Sequence, residues 1–173
     1  MEPIKHYYEL PDGSMISCTF YDSGGSVKYR STIETFYKNV EGIVLIFDLT
    51  NKKSFDDVKD YFIPTIQQHC REDIPVLIIG NKKDMQDKRL ITYEEANEIA
   101  MKYDYCYKEV SCSENSNIVE VFKNIIQRTK SYIDNNNYQN NDAFILLEPN
   151  PNILINYEDD NNNRRRHSCL RCC

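Results

Sequence analysis

The chain has 173 residues, of which 40% are apolar and 28% are charged, a composition typical of one soluble domain with its own core. The longest apolar runs, residues 43–47 and 143–147, are far shorter than the ~20 residues of a membrane-spanning helix, and no secretory signal pattern opens the chain. Residues 1–163 carry 17 basic and 27 acidic side chains, whereas the last ten residues carry four arginines and no acid. An acidic body argues against nucleic acid as the partner.

The first predicted element is a β-hairpin. Strands over His6–Glu9 and Met15–Tyr21 flank the segment Pro11-Asp12-Gly13, whose residue types favour tight turns. The next element is the unbroken apolar run Gly42–Asp48, which predicts a strand buried on both faces.

Helices then alternate with strands. A helix is predicted from Ser54, because Asp57 follows it at capping-box spacing, and Pro64 predicts a kink near Ile63. The later elements are a buried strand over Pro75–Gly80, a helix capped by Thr92 and Glu95 and running towards Tyr103, a short strand over Tyr107–Val110, and an amphipathic helix with Ile118, Val121, Phe122, Ile125, Ile126 and Ile133 on one face. This alternation predicts an α/β fold with a mostly parallel sheet and one antiparallel edge hairpin.

The composition changes near residue 134. Eleven of residues 134–163 are Asn, and this predicts a folded domain over residues 1–133 followed by a flexible, disordered tail over residues 134–173. Two apolar segments interrupt the tail, Ala143–Leu147 and Ile153–Ile155. They are either a docking segment for a partner or a segment that folds back on the body.

Polar loops follow three of the predicted strands, at the carboxyl ends where α/β sheets bind ligands. The first loop has the pattern D-x-x-G and consists of Asp22, Ser23, Gly24, Gly25 and Ser26. An Asp in this position can hold a metal ion through water, and a nearby glycine lets a backbone N–H approach a terminal phosphate.

The second loop, Asn81, Lys82, Lys83 and Asp84, has the pattern N-K-x-D. A carboxylate accepts two parallel N–H bonds from guanine, which adenine cannot offer, while Asn can bond the opposite side of the ring and the Lys stem can cover a ring face. In the third loop, Ser111-Cys112-Ser113, backbone N–H groups could meet the guanine O6.

The order of these three loops resembles that of Ras-type small GTPases. Three stretches narrow the resemblance to the Rab family, namely Tyr29–Tyr37, Gly42–Thr50 with the following Ser54-Phe55, and the terminal Cys172-Cys173. The resemblance covers about residues 3–133 and the last two residues. It implies GTP or GDP and Mg²⁺ as cofactors. Asp22 would orient the magnesium water shell, Gly25 would touch the γ-phosphate, Asn81, Lys82 and Asp84 would read guanine, and Cys112 would donate its N–H to O6.

The sequence also departs from the family pattern. The family begins with a strand, a glycine-rich phosphate loop, a helix and switch I, and the chain is expected to be an incomplete, N-terminally truncated Ras-like P-loop GTPase fold without them. Since that loop carries the phosphate contacts, nucleotide binding is expected to be weak. Ser26 stands where the family has the Gln that orients the attacking water, and Ser113 replaces a Lys. We therefore assign no catalytic residue and expect no efficient GTP hydrolysis.

Without the first strand of the family pattern, the sheet is expected to lack its centre. In the family the first strand lies at the centre, so the strand ending at Tyr21 and the strand Gly42–Asp48 are expected to flank an empty slot. These two strands would either pair with each other or expose unpaired apolar edges. The purified body is therefore expected to be marginally stable or oligomeric.

The resemblance implies that Cys172 and Cys173 carry geranylgeranyl groups. Lasting membrane attachment needs two lipid chains, or one chain with basic residues, and these cysteines with Arg164–Arg166 nearby meet that requirement. The alternative for the three arginines is a solvated tail that happens to be basic. The alternative for the cysteines is a redox or zinc pair formed by Cys169 and Cys172.

The implied location is the cytoplasmic face of a membrane. The implied partners are a Rab escort protein, chaperones resembling GDP-dissociation inhibitor, and effectors at Lys28–Tyr37. The alternative for that segment is that Tyr29, Phe36 and Tyr37 are packing residues.

Three functional hypotheses follow. The first is a Rab-like, prenylated regulator of vesicle traffic. The second is a nucleotide-independent prenylated adaptor or decoy that competes for Rab escort proteins or effectors. The third is an incomplete product that does not fold alone.

Overall fold

A six-stranded sheet with helices on both faces forms the body of the protein. The computed structural model describes residues 3–23, 30–136, 142–149, 153–156 and 169–172. The strands of the sheet, in chain order, are β1 (Pro3–Glu9), β2 (Met15–Asp22), β3 (Gly42–Asp48), β4 (Val76–Asn81), β5 (Cys106–Glu109) and β6 (Asp142–Pro149). Their spatial order is β1-β2-β6-β3-β4-β5. Only β1 and β2 pair antiparallel, and the other four pairs are parallel, so the predicted α/β architecture with one antiparallel edge is confirmed.

In the described part of the chain, five α-helices connect the strands. They are α1 (Arg30–Tyr37), α2 (Lys52–Asp57), α3 (Ile63–His69), α4 (Tyr93–Lys102) and α5 (Ile118–Asn135), and a short 3₁₀ turn covers Gln86–Lys88. The hairpin turn matches its prediction, since Gly13 has a φ of 79° and the Asp12 carboxylate accepts from the Ser14 N–H at 2.9 Å. The predicted cap of α4 is also present, because the Thr92 hydroxyl accepts from the Glu95 N–H at 3.1 Å.

The helix predicted from Ser54 begins differently from our expectation. Asn51, not Ser54, is the capping residue of α2, and its side chain accepts from the Ser54 N–H. The Ser54 hydroxyl instead donates to the Asn51 carbonyl oxygen at 2.7 Å. A π-helical turn over Val58–Phe62 joins α2 to α3, immediately before Pro64, where the sequence predicted a kink.

Strand β6 occupies the central slot of the sheet. It pairs parallel with β2 on one side and with β3 on the other. The expected empty slot is therefore wrong, as is the expectation that β2 and β3 pair directly or expose their edges. The prediction of a disordered tail is also wrong for Asp142–Pro149, and of the two alternatives for residues 143–147, the fold-back alternative is confirmed.

Burial on both faces explains why this segment takes a central position. Ala143, Ile145 and Leu147 are buried in the apolar layer that contains α5, whereas Leu146 is buried in the layer formed with α2, α3 and α4. A strand with apolar side chains on both faces loses hydrophobic stabilisation if either face is exposed to water. Residues 143–147 therefore fit the middle of a sheet and not its edge.

Two residues outside β6 fix its position. Near its start, the Glu41 N–H donates to the Phe144 carbonyl oxygen and the Glu41 carboxylate accepts from the Phe144 N–H, both at 2.8 Å. Burial raises the pKa of Glu41 although this N–H bond opposes the shift. Near its end, the Ser23 N–H and hydroxyl donate to the Leu147 carbonyl oxygen at 3.1 and 2.9 Å.

A second, small sheet follows. β7 (Ile153–Asn156) and β8 (Cys169–Cys172) pair antiparallel, so the second apolar segment of the tail, Ile153–Ile155, is also in a strand. Within the described part of the chain, no helix is both long and apolar enough to span a membrane.

Candidate functional site

The carboxyl edge of the sheet brings the three predicted loops to the same side of the molecule. β2 ends at Asp22, β4 ends at Asn81 and β5 ends at Glu109, shortly before Ser111. Because β2, β4 and β5 run in the same direction, the residues that follow them meet at one edge. Gly24, Gly25 and Ser26 lie outside the described residues, so of the first loop only Asp22 and Ser23 can be placed.

The buried side chain of Asn81 links the second and third loops through hydrogen bonds. Its side chain is 2% exposed, and its Oδ1 atom accepts from the Lys82 N–H at 2.7 Å and from the Cys112 N–H at 3.3 Å. The second bond joins the end of β4 to the loop after β5. The Cys112 N–H, which the resemblance assigns to guanine O6, is thus directed at Asn81 in this structure.

Lys82 turns away from solvent to reach a buried acid. Its backbone has a φ of 67°, and its ammonium lies 2.7 Å from the Asp48 Oδ2 atom. The Asp48 Oδ1 atom accepts from the N–H and the hydroxyl of Thr50. Asp48 is not among the site residues predicted from sequence. The available signal is that this acid ends the apolar run of β3. The ion pair with Asp48 holds the Lys82 side chain against the end of β3.

Asp84 is exposed and faces the third loop. Its Oδ1 atom accepts from the Ser111 hydroxyl at 2.6 Å, and the Ser113 hydroxyl lies 3.0 Å from that of Ser111. The Ser111 hydrogen bond is the main reason that the pKa of Asp84 is lowered, which keeps the carboxylate ionised. An ionised, exposed carboxylate is the acceptor that the guanine N1–H and N2–H edge requires.

Further contacts tie the two loops together. The Lys83 N–H donates to the Val110 carbonyl oxygen at 3.0 Å, while the Lys83 side chain is exposed. Cys112 is partly buried, and burial raises the pKa of its thiol to about 11. A thiol with so high a pKa is a poor nucleophile, so Cys112 contributes its backbone and its packing to the site, not its reactivity.

Asp22 lies where β2 ends beside β6. Its Oδ1 atom is buried and has no hydrogen-bond partner, and burial raises the pKa of its carboxyl to about 7. The neighbouring Ser23 is committed to the Leu147 carbonyl oxygen. A carboxylate oxygen without a partner can accept a hydrogen bond from a water of the Mg²⁺ shell, so this residue by itself fits the implied metal.

The two ends of the implied nucleotide fit the structure unequally. Asn81, Lys82 and Asp84 are held together by the contacts described above. Because the resemblance assigns these three residues to guanine, we call them the base-recognition corner after that predicted role. The central strand β6, however, is followed by Asn150-Pro151-Asn152, and Pro149 and Pro151 have no backbone N–H to offer a phosphate. This stretch does not fit the role of the glycine-rich cradle that holds phosphates.

The other predicted sites are partly placed. In the segment Lys28–Tyr37, residues 28 and 29 lie outside the described residues. The Phe36 ring centroid lies 5.1 Å from that of Tyr21 and Tyr37 is 1% exposed, so both aromatic residues pack the core. Cys172 lies in β8, and Cys173 is beyond the described residues. Across the described ranges, no group of three or more His, Cys, Asp or Glu residues could hold a metal ion.

The model of a protein family described as the Ras family matches residues 5–131. This chain belongs to the Ras family. It is 32% identical over 123 residues to Ras-related protein Rab-8A of Pongo abelii, a match that covers 71% of this chain and 59% of that protein. It is 35% identical over 111 residues to Ras-related protein Rab-8B of Homo sapiens, which covers 64% of this chain and 53% of that protein.

These relatives support the Rab-like character of this Ras-family chain. The chain spans between half and two thirds of the length of the curated relatives that it matches. The family match covers β1 to α5 and stops before β6. The strand that fills the centre of the sheet therefore lies outside the matched part of the chain.

Proposed function

We propose that this chain is a Rab-like regulator of vesicle traffic that is anchored by lipid to the cytoplasmic face of a membrane, recognises guanine and binds GTP or GDP weakly. The observation that carries the guanine part is the corner formed by Asn81, Lys82 and Asp84 against Ser111. Three contacts hold it in shape before any ligand arrives, from Asn81 to Cys112, from Lys82 to Asp48 and from Ser111 to Asp84. A preformed site spends less of its binding energy on ordering.

Weak affinity and slow hydrolysis follow from the phosphate end. Most charge-bearing contacts of a nucleoside triphosphate are made to its phosphates and their Mg²⁺. Here the central strand is followed by a proline-containing segment, and Asp22 is the one acidic group that we assign to the water shell of Mg²⁺. Ser26 is too short to orient an attacking water as a Gln does. We infer that a bound nucleotide is held mainly through its base.

A nucleotide titration tests the guanine claim. Purified full-length protein is titrated with a fluorescent GTP analogue beside the Asp84→Ala variant, with Asp87→Ala, a nearby exposed acid, as the matched control. Binding that is lost in Asp84→Ala and kept in Asp87→Ala supports the proposal. The Asp84→Asn variant adds a sharper reading, because an amide offers one acceptor and one donor and should favour xanthine over guanine nucleotides. Absence of binding to the unaltered protein would contradict guanine recognition.

A second candidate function is favoured by the insertion of β6. Because the tail completes the sheet, the fold does not depend on a nucleotide-binding loop at its centre. The chain could then act as a nucleotide-independent prenylated adaptor or decoy that competes for a Rab escort protein, a chaperone resembling GDP-dissociation inhibitor, or effectors. The titration separates the two functions, since the adaptor binds neither GTP nor GDP.

The lipid anchor has its own test. Mass spectrometry of the C-terminal peptide, isolated from the native cell, should show geranylgeranyl groups on Cys172 and Cys173, with Cys169 unmodified as the internal control. Unmodified cysteines at both positions would rule out the anchor and leave guanine recognition untouched. A zinc or redox pair between Cys169 and Cys172 would instead appear as bound metal or as a disulfide in the same peptide.

A further inference from the structure

The insertion of β6 changes the edge of the sheet at which the tail leaves the body. Helix α5 follows β5, packs against β3 and β6, and brings the chain back to the amino edge of the sheet. β6 begins seven residues after the end of α5. Its parallel pairing with β2, from Ser17 opposite Asp142 to Asp22 opposite Leu147, carries the chain across the sheet again. The tail therefore leaves at the carboxyl edge, on the side of the base-recognition corner.

The small sheet keeps Cys172 close to that edge. Ile153 lies four residues after the end of β6 and pairs with Cys172. Four extended residues reach at most about 14 Å, and paired Cα atoms are about 5 Å apart. Cys172 is thus within about 20 Å of the end of β6. In addition, β8 lies beside both β2 and β6.

A tail without β6 would behave very differently. If the chain were flexible from residue 136 to Cys172, its root-mean-square reach would be about 30 Å and it would start from the amino edge. The inserted strand therefore replaces a long tether at one edge with a short one at the opposite edge. The connection between β7 and β8 also contains Arg164–Arg166, and basic residues are attracted to the anionic lipids of a cytoplasmic leaflet.

We propose that the membrane-anchored protein lies with the carboxyl edge of its sheet, the edge of Lys83 and Asp84, facing the lipid surface. This orientation rests on the proposed anchorage through the tail. The occupant of this edge is a lipid surface, because the anchoring residues and the basic cluster both come from the segment that leaves there. The amino edge, near Glu72, faces away from the membrane.

Tryptophan variants can measure this orientation, because the chain contains no Trp. Lys83 and Glu72 are both exposed and flank the two ends of β4, a strand whose six residues span about 20 Å. The full chain carrying either Lys83→Trp or Glu72→Trp is tethered through an appended C-terminal His tag to phosphatidylcholine–phosphatidylserine vesicles. These vesicles contain a nickel-chelating lipid and a dansyl-labelled headgroup. Energy transfer from the Lys83→Trp variant is expected to be several-fold higher than from the Glu72→Trp variant.

Equal transfer from the two variants, or higher transfer from Glu72→Trp, would overturn the orientation. A 30-residue Gly/Ser spacer inserted at residue 150 is the matched control and should remove the difference, since it lengthens the tether without altering β6. A difference that persists with the spacer would overturn the tether as its cause. Thermal melts that match the unaltered chain confirm that each variant folds. The His tag tethers the chain whether or not it is prenylated, so failure of the lipid anchor in the mass-spectrometry test is distinguishable from failure of the orientation.

Discussion

The base-recognition corner and the central slot of the same sheet are built in opposite ways. The corner consists of two short loops whose residues are neighbours in sequence, Asn81–Asp84 and Ser111–Ser113. The slot is filled by β6, which lies about 100 residues away from its partner β3 in the chain. In this Ras-family chain, the two loops lie within the region that matches the family, residues 5–131, whereas the central strand of the sheet comes from residues that follow that region.

The two regions also differ in the group that each can bind. The corner offers an ionised carboxylate, a buried amide that joins the two loops and a lysine held by Asp48, the groups to which we propose that a purine base binds. The end of the slot offers prolines and the partly buried Asp22. The comparison therefore predicts that the structural role of the tail and the ligand-binding role of the loops can be separated by mutation.

Removing β6 should have the largest effect. A chain ending at Asn136 loses the side chains of Ile145, Leu146 and Leu147, which are almost completely buried. Each contributes about 1.5–3 kcal/mol, and their sum is comparable with the whole stability of a small domain, about 5–15 kcal/mol. We expect loss of the cooperative thermal transition, measured by circular dichroism.

A chain ending at Asn150 is the matched control for that truncation. It retains β6 and lacks the small sheet, so it should melt cooperatively near the temperature of the full chain. If the chain ending at Asn136 melted as sharply as the chain ending at Asn150, β6 would not be part of the stable sheet.

Substitutions in the corner should distinguish Asn81, which stabilises the fold, from Asp84, to which we assign ligand binding. Asn81→Ala leaves the N–H groups of Lys82 and Cys112 without their acceptor, which should lower the free energy of unfolding by about 1–3 kcal/mol. Asp84 is exposed and its partner Ser111 also contacts Ser113, so Asp84→Ala should lower this free energy by about 0.5–1 kcal/mol, less than Asn81→Ala does. Urea denaturation of both variants provides the measurement. A stability loss of equal size in the two would show that the corner acts as one structural unit.

Asp22, which lies where β2 ends beside β6, should give a smaller effect, namely a dependence of the free energy of unfolding on pH. The pKa of Asp22 is about 7 in the folded protein and near 3.9 in an unfolded chain, so the folded state binds the extra proton between these values. The contribution of Asp22 to the free energy of unfolding is therefore greatest below about pH 4 and declines as the pH rises to about 7. From pH 5 to pH 8, the unaltered protein should lose on the order of 1 kcal/mol relative to Asp22→Asn. Denaturant titrations at the two pH values check this, and parallel curves would mean that the carboxyl is well solvated.

Much of the sheet and of the corner could be predicted from sequence because their signals are local. The apolar run of β3, the Pro-Asp-Gly turn and the N-K-x-D loop each carry their conformation within a few residues. The start of α2 is an exception, because the Ser54–Asp57 spacing predicts a start at Ser54, whereas the Asn51 side chain accepts from the Ser54 N–H and caps the helix.

The position of β6 could not be predicted in the same way. The five apolar residues 143–147 are compatible with a docking segment or a core strand, and only the gap between β2 and β3 decides between them. That gap is a property of the assembled fold, as are the Lys82–Asp48 pair and the Ser23–Leu147 bond. Local patterns contain no signal for contacts that join distant parts of the chain.

Hydrogen exchange in the full-length protein tests most directly whether the tail completes the sheet. The account predicts that the backbone amides of Ala143–Leu147, measured by mass spectrometry or NMR, are protected at least about 10³-fold, to the same extent as those of β3. Exchange of these amides at the rate of an unstructured chain, while those of β3 remain protected, would contradict it.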